Sequence, residues 1–313
     1  MLHSHKSPGP VVPHVNELVI NWHITEACNY ECQYCYAKWD GAGKELLHDW
    51  NRTRRLLDEI HDFFHPHNRA NPLRQQLSWS SIRLNVAGGE PLLYPQALLR
   101  TLEYAKAKGM SASIITNGSR LTPDLIEGLA PLISTLGVSL DSAIQASNLG
   151  MGRADSRGRL LDLDALSQLL HQARQYNPAL LLKVNTVVNA LNHQEDLSQM
   201  LNALKPDRWK VLRMLQVVTQ ALAVSSAGFQ GFVERHAVFR QIMCVEDNDD
   251  MSESYIMLDP LGRFFQNRLG QQGYQYSQPV DAVGAESAFS EWRLSATAFA
   301  SRYHGMPLRE VSS

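Results

Sequence analysis

The chain has 313 residues, enough for one large domain or two small ones with a sizeable buried core. Lys and Arg number 29 against 31 Asp and Glu, a net charge of −2, which argues against a generic polyanion-binding surface while leaving room for a local basic pocket. Four cysteines exclude a secreted disulfide framework, and no run of about 18 apolar residues marks a transmembrane helix.

Residues 1–15, rich in Pro, Gly and His, read as a flexible leader with no signal-peptide core and no long basic amphipathic helix. A reducing cytoplasm is the expected location. From there, short apolar runs alternate with segments of helical period. "LVINWHI" (18–24) reads as a strand. "KELLHDWNRTRRLLDEIHDFFH" (44–65) reads as a helix, with Leu56, Ile60, Phe63 and Phe64 on one face. "IRLNVA" (82–87) is the second strand, followed by a helix over 95–108 that stops at Gly109. "SASIIT" (111–116) is the third strand, and its helix starts with Thr122 as N-cap and Pro123 at the first helical position.

The alternation continues with "LGVSL" (136–140), a helix near 162–175, the strand "LLLKVNTVV" (180–188) and a helix over 194–204. "WKVLRML" (209–215) and a helix over 229–242 complete six βα units. Near the end, "SYIMLDPLGRFFQ" reads as two short strands around a turn at Pro260 and Gly262. Alternating strands and helices imply α/β architecture with a parallel sheet. Six units predict a partial (βα)6 TIM-like barrel over 16–215, with residues 216–313 as a C-terminal extension packing on the barrel and closing its site. In such folds ligands sit at the C-terminal ends of the strands.

The loop after the first strand holds "ACNYECQYC", placing Cys28, Cys32 and Cys35 at C-x3-C-x2-C spacing. Three thiolates so placed can converge on one soft metal centre. A structural zinc site wants four closed ligands; Cys244 lies more than 200 residues away, and His23 sits inside the preceding strand. An iron–sulfur cube held by three thiolates, with one iron left open, fits better. In "AGGEP" (87–91), two glycines allow close backbone approach, and the neighbouring carboxylate can accept from an ammonium group. Lys183 and Asn185 share one strand face, as do Arg208 and Lys210. Cations turned into a barrel call for an anion, and a polyphosphate is the natural one.

The cysteine triplet, with Tyr34 before its third member, resembles the signature of the radical S-adenosylmethionine (SAM) superfamily. That resemblance implies a [4Fe–4S] cluster on Cys28, Cys32 and Cys35, and SAM chelated to the open iron. It also implies a SAM site formed by Tyr34, Gly88, Gly89, Glu90, Asn117, Ser139 and Arg153. Glu90 would hold the methionine amino group, and Arg153 would reach its carboxylate.

"NWHITEACNYECQYC", "VNTVVNALNHQEDL", "LNALKPDRWKVLRML" and "SESYIMLDPLGRFFQN" extend the resemblance to the viperin family across residues 18–305. It implies a nucleoside-triphosphate 3′,4′-dehydratase that makes chain-terminating 3′-deoxy-3′,4′-didehydro nucleotides from CTP, UTP or GTP in antiviral (anti-phage) defence. Lys183, Asn185, Arg208 and Lys210 would hold the triphosphate. Tyr255 would lie near the ribose as donor of the final hydrogen atom, with Asn21 and His23 facing the pocket. Arg302, Tyr303 and His304 would fold over the substrate, although the outer tail has no match to the aromatic-terminated tail of animal viperins. The family also implies an electron donor such as flavodoxin or ferredoxin. A monomer with no nucleic-acid or membrane partner is expected. Cys244 is expected to pack as a small apolar residue. The alternatives are a radical SAM enzyme acting on a peptide or another small molecule, and a zinc-bound interaction protein.

Overall fold

The computed structural model describes residues 12–41, 43–267, 272–290 and 292–303. Its elements in chain order are β1 (His14–His23), α1 (Trp50–Phe64), β2 (Ser78–Ala87), α2 (Pro95–Ala107), β3 (Ser111–Thr116), α3 (Pro123–Leu129), β4 (Thr135–Ser139), α4 (Gln145–Gly150), α5 (Leu163–Tyr176), β5 (Leu181–Val188), α6 (Ser198–Leu204), β6 (Arg208–Arg213) and α7 (Ser226–Arg235). There follow β7 (Met243–Glu246), β8 (Ile256–Leu258), β9 (Arg263–Asn267), β10 (Tyr274–Pro279), α8 (Val280–Val283), α9 (Ala285–Ser290) and α10 (Ala296–Tyr303). All six expected βα units are present. The first strand begins at His14, inside the segment read as leader; residues 1–11 and His304 onward lie outside the described residues.

The sheet has ten strands in the order β10-β9-β8-β1-β2-β3-β4-β5-β6-β7. Strands β8 and β1 through β7 run parallel; at one edge β9 is antiparallel to β8, and β10 is antiparallel to β9. The first six strands in chain order are neighbours in that same order, as successive right-handed crossovers produce. Local signals start the helices as expected: Thr122 Oγ1 accepts from the Leu125 amide at 3.3 Å with Pro123 behind it, and Asp49 caps α1.

Side-chain contacts show that the sheet curls. Strands lie about 4.8 Å apart, so β6 and β8, six places apart in the sheet, would be separated by roughly 29 Å if it were flat. Yet the Lys210 ammonium of β6 lies 4.8 Å from the ring centroid of Tyr255, the residue before β8. Only a sheet rolled into a partial barrel allows both. The rolled sheet and its helices share one apolar core, in which Leu18, Ile20, Trp22, Leu56, Phe64, Trp209 and Phe264 are fully buried. Its buried tryptophans keep their indole N–H groups satisfied: Trp22 donates to the Asp259 carbonyl (3.2 Å) and Trp209 to Thr186 Oγ1 (2.9 Å).

Candidate functional site

A cavity of about 630 Å3 opens at the C-terminal ends of the strands, the end at which parallel α/β barrels present their loops. The cysteine loop forms one wall, and its path is fixed from both sides. At its start, the Gly89 amide donates to the Thr25 carbonyl (2.7 Å) and the Glu90 amide to the Ala27 carbonyl (2.8 Å). A Cβ on Gly89 would stand 2.2 Å from the Ala27 oxygen, so only glycine permits the approach. In its middle, the Glu31 and Gln33 amides donate to the Gly152 and Met151 carbonyls, both at 3.1 Å. Gly152 has φ +77°, and a Cβ there would stand 2.2 Å from the Glu31 oxygen. "AGGEP" and "LGMGRAD" thus hold the loop at two points.

Cys28, Cys32 and Cys35 all line the cavity, and none forms a disulfide. Burial, and in lesser part neighbouring thiols, raise the pKa of Cys28 and Cys32, Cys32 to about 12. Among the described residues, no group of three His, Cys, Asp or Glu side chains is arranged to hold a single metal ion. Three thiols free on one wall do fit a cube in which each thiolate meets a different iron. Asn117 borders them: its amide group donates to Asn29 Oδ1 (3.0 Å) and lies 3.9 Å from the Cys28 sulfur.

Gly88, Gly89, Asn117, Ser139, Arg153 and Tyr34 join the cysteines around the cavity. Glu90 does not. It is fully buried beneath them, accepting from the Leu92 amide (2.9 Å), Thr116 Oγ1 (2.7 Å) and the Asn117 amide (2.7 Å). Its carboxylate ties the loop after β2 to the loop after β3. Arg153 is buried too. Its guanidinium pairs with Asp141 at 2.8 Å and donates to the Ser139 carbonyl. Asp141, which the sequence reading passed over inside "VSLDS", also accepts from the Tyr34 hydroxyl and the Val187 amide (2.7 Å). One carboxylate therefore joins the cysteine loop, β5 and the arginine loop.

A second part of the lining is cationic. Lys183, Asn185 and Lys210 line it, paired in register as Asn185 with Lys210 and Lys183 with Arg208. Burial, with Lys210 and Arg83 nearby, presses the Lys183 pKa well below the usual lysine range. The Asn185 Oδ1 atom is buried, and among the described residues it has no hydrogen-bond partner. Arg208 lies two residues deeper, roughly 7 Å down the strand, and is outside the cavity lining; its charge still acts on Lys183. Arg302 is likewise behind the wall, its guanidinium 3.8 Å from the Tyr255 ring centroid and paired with Glu246. Lys210 pairs with the same Glu246 at 2.7 Å and donates to the Tyr255 hydroxyl.

In the same lining, Asn21 donates to the Ile256 carbonyl (3.1 Å) and accepts from Asn85 (2.9 Å), which itself accepts from Ser113 (2.7 Å). His23 packs against Tyr36, Trp39 and Phe265. Burial lowers its pKa to about 3, against a smaller opposing effect of the Gly88 backbone. A neutral imidazole thus faces this part of the cavity. Cys244 is half-exposed on the edge strand β7.

Comparison with known proteins agrees with this construction. The family model of the Radical SAM superfamily matches residues 22–162. An S-adenosylmethionine-dependent nucleotide dehydratase of Pseudoalteromonas ulvae is 40% identical, over 94% of this chain and 95% of its own. One of Psychrobacter lutiphocae is 39% identical, over 92% and 95%. Among solved structures, anSMEcpe with bound AdoMet and Kp18Cys peptide aligns with a TM-score of 0.66 at 12% identity, covering 90% of this chain and 84% of that one, a likeness of fold. With three free thiols at C-x3-C-x2-C spacing and relatives this similar along nearly the whole length, the chain belongs to the S-adenosylmethionine-dependent nucleotide dehydratases, the viperin family of the radical SAM superfamily.

Proposed function

We propose that this protein removes water across C3′ and C4′ of a ribonucleoside triphosphate, giving a 3′-deoxy-3′,4′-didehydro nucleotide. CTP is the favoured substrate, with UTP and GTP its near competitors. The product would terminate chains in antiviral (anti-phage) defence within a reducing cytoplasm. One observation carries the reading: the free cysteine triplet and the cations Lys183 and Lys210 line the same cavity.

Cys28, Cys32 and Cys35 would hold the [4Fe–4S] cluster. Gly88, Gly89, Asn117, Ser139, Arg153 and Tyr34 would surround SAM, with Glu90 and Asp141 fixing the loops that carry them. Together these cofactors would supply the radical chemistry that takes a hydrogen atom from a ribose carbon. The chain's own work is placement. Lys183 and Lys210, with Asn185 beside them, would anchor the triphosphate by charge-assisted hydrogen bonds. Asn21 and His23 would line the ribose, and Tyr255 would present its hydroxyl to the reacting carbon. Aromatic side chains pack around His23 and would limit water at the ribose. An electron donor of the flavodoxin or ferredoxin kind completes the system, and the enzyme acts as a monomer.

The deciding assay is anaerobic, with reconstituted enzyme, SAM, reductant and each of the four ribonucleoside triphosphates in turn. We expect 5′-deoxyadenosine to form rapidly with one of them, accompanied by a nucleotide lighter by one water. Equal, slow SAM cleavage with and without every nucleotide would refute the reading.

A further inference from the structure

Glu246, the last residue of β7, is where three other parts of the fold meet. One carboxylate oxygen lies 2.7 Å from the Lys210 ammonium of β6. The other pairs with the Arg302 guanidinium of α10 and accepts from the Tyr255 hydroxyl. Lys210 donates to that same hydroxyl, and Arg302 stacks on its ring while donating to Ser254 Oγ at 2.7 Å. The carboxylate is only 4% exposed and lies behind the cavity wall, whereas Lys210 and Tyr255 are on it. Burial alone would raise its pKa, but Lys210 and Arg302 outweigh burial and hold it down to about 2.

A carboxylate bonded to a phosphate-binding cation opposes phosphate binding, because it compensates part of that cation's charge and repels the incoming polyanion. Its presence at this position calls for another use, and its hydrogen bond to Tyr255 supplies one. We propose that Glu246 is a positioning residue for the dehydration: it fixes the Tyr255 hydroxyl and the Lys210 ammonium at the cavity wall, while lowering affinity for the triphosphate. This rests on the nucleotide reading above and extends it to a residue outside the cavity.

The test uses the full chain with its cluster reconstituted, as Glu246→Gln and Glu246→Asp. Two quantities are measured: calorimetric binding of inorganic triphosphate, which ignores the base, and the ratio of dehydrated nucleotide to 5′-deoxyadenosine with CTP, or with whichever triphosphate drives the wild type best. Glu246→Gln removes the competing charge, so it is expected to bind inorganic triphosphate at least about threefold tighter. Its product ratio is expected to fall by roughly half or more as the hydroxyl loses its carboxylate acceptor. Glu246→Asp keeps the charge but not the reach; its triphosphate affinity is expected to stay within about twofold of wild type while its ratio drops.

Damage to the fold alone would weaken binding and leave the ratio where it was. Weaker triphosphate binding by Glu246→Gln with an unchanged ratio would therefore overturn the proposal, reducing Glu246 to a support for Lys210. Should Glu246→Gln fail to fold, an unchanged ratio in Glu246→Asp overturns it as well. A wild-type enzyme that binds no inorganic triphosphate and responds to no nucleotide would instead remove the nucleotide reading itself, and the positioning role with it.

Discussion

Lys183 illustrates how a residue proposed to bind substrate differs from a stabilising one. No ion pair forms to it among the described residues, and the cations around it disfavour its charge. Its folded-state pKa lies well below the ordinary lysine value of 10.5, so the unfolded chain binds more protons between those two values. Stability of the nucleotide-free protein therefore rises with pH across that window, and the charge penalty is fully present below it. We expect Lys183→Met to be more stable than wild type at neutral pH by about 1 kcal/mol or more, read as a higher unfolding temperature. The gap should close as the pH approaches 10.5, and nucleotide binding should be lost throughout. A lower melting temperature at neutral pH would show that Lys183 is already compensated. Lys183 and Lys210 were legible because a cation inside a strand pattern is conspicuous. Asp141 and Glu246 were not. A carboxylate in "SLDS", or opening the acidic run "EDNDD", reads as solvated until the fold brings an arginine and a tyrosine to it.

At the scale of elements, the cysteine loop takes its shape from glycines elsewhere in the chain. Gly152 contributes no side chain to the cavity, yet an added Cβ would meet the Glu31 carbonyl at 2.2 Å, from a backbone with φ +77° that disfavours other residues. Gly152→Ala should shift the loop at Glu31–Gln33 and spread the thiols. Iron per chain after reconstitution should fall by roughly half or more, with a stability loss of about 2 kcal/mol. Full iron content at wild-type stability would mean that the loop is held from its other end alone. The six βα units were legible because each joins an apolar strand to a helix with clear periodicity. Strands β7 and β10 were missed for a physical reason. "MCVE" has four residues with mixed burial, and "YQYSQP" is largely polar; each becomes a strand through pairing with β6 or β9 rather than through its own pattern. The short helix α4 buries no residue, so no apolar stripe announces it.

For the molecule as a whole, the open sheet leaves a gap between β7 and β8 that side chains, not strand pairing, bridge among the described residues. The bridge consists of Lys210, Glu246, Tyr255 and Arg302, and residues 247–255 run through it with only a single short 3-10 turn at Asp249–Met251. Met251, Glu253, Ser254 and Tyr255 from this segment line the cavity. Among the described residues no helix is long and apolar enough to cross a membrane. Segments with few backbone hydrogen bonds in regular elements open at low free energy. A triphosphate bound to Lys183 and Lys210 would tie β5 and β6 to that segment through Tyr255 and make its opening costlier. Hydrogen exchange in residues 247–255 should therefore slow by roughly tenfold or more when saturating nucleotide is added. Exchange in the core strand β2, already protected, should not change. If 247–255 exchanged at the same rate with and without nucleotide while binding was confirmed by calorimetry, the substrate would be held by the β5–β6 wall alone, and the bridge would serve only to close the barrel.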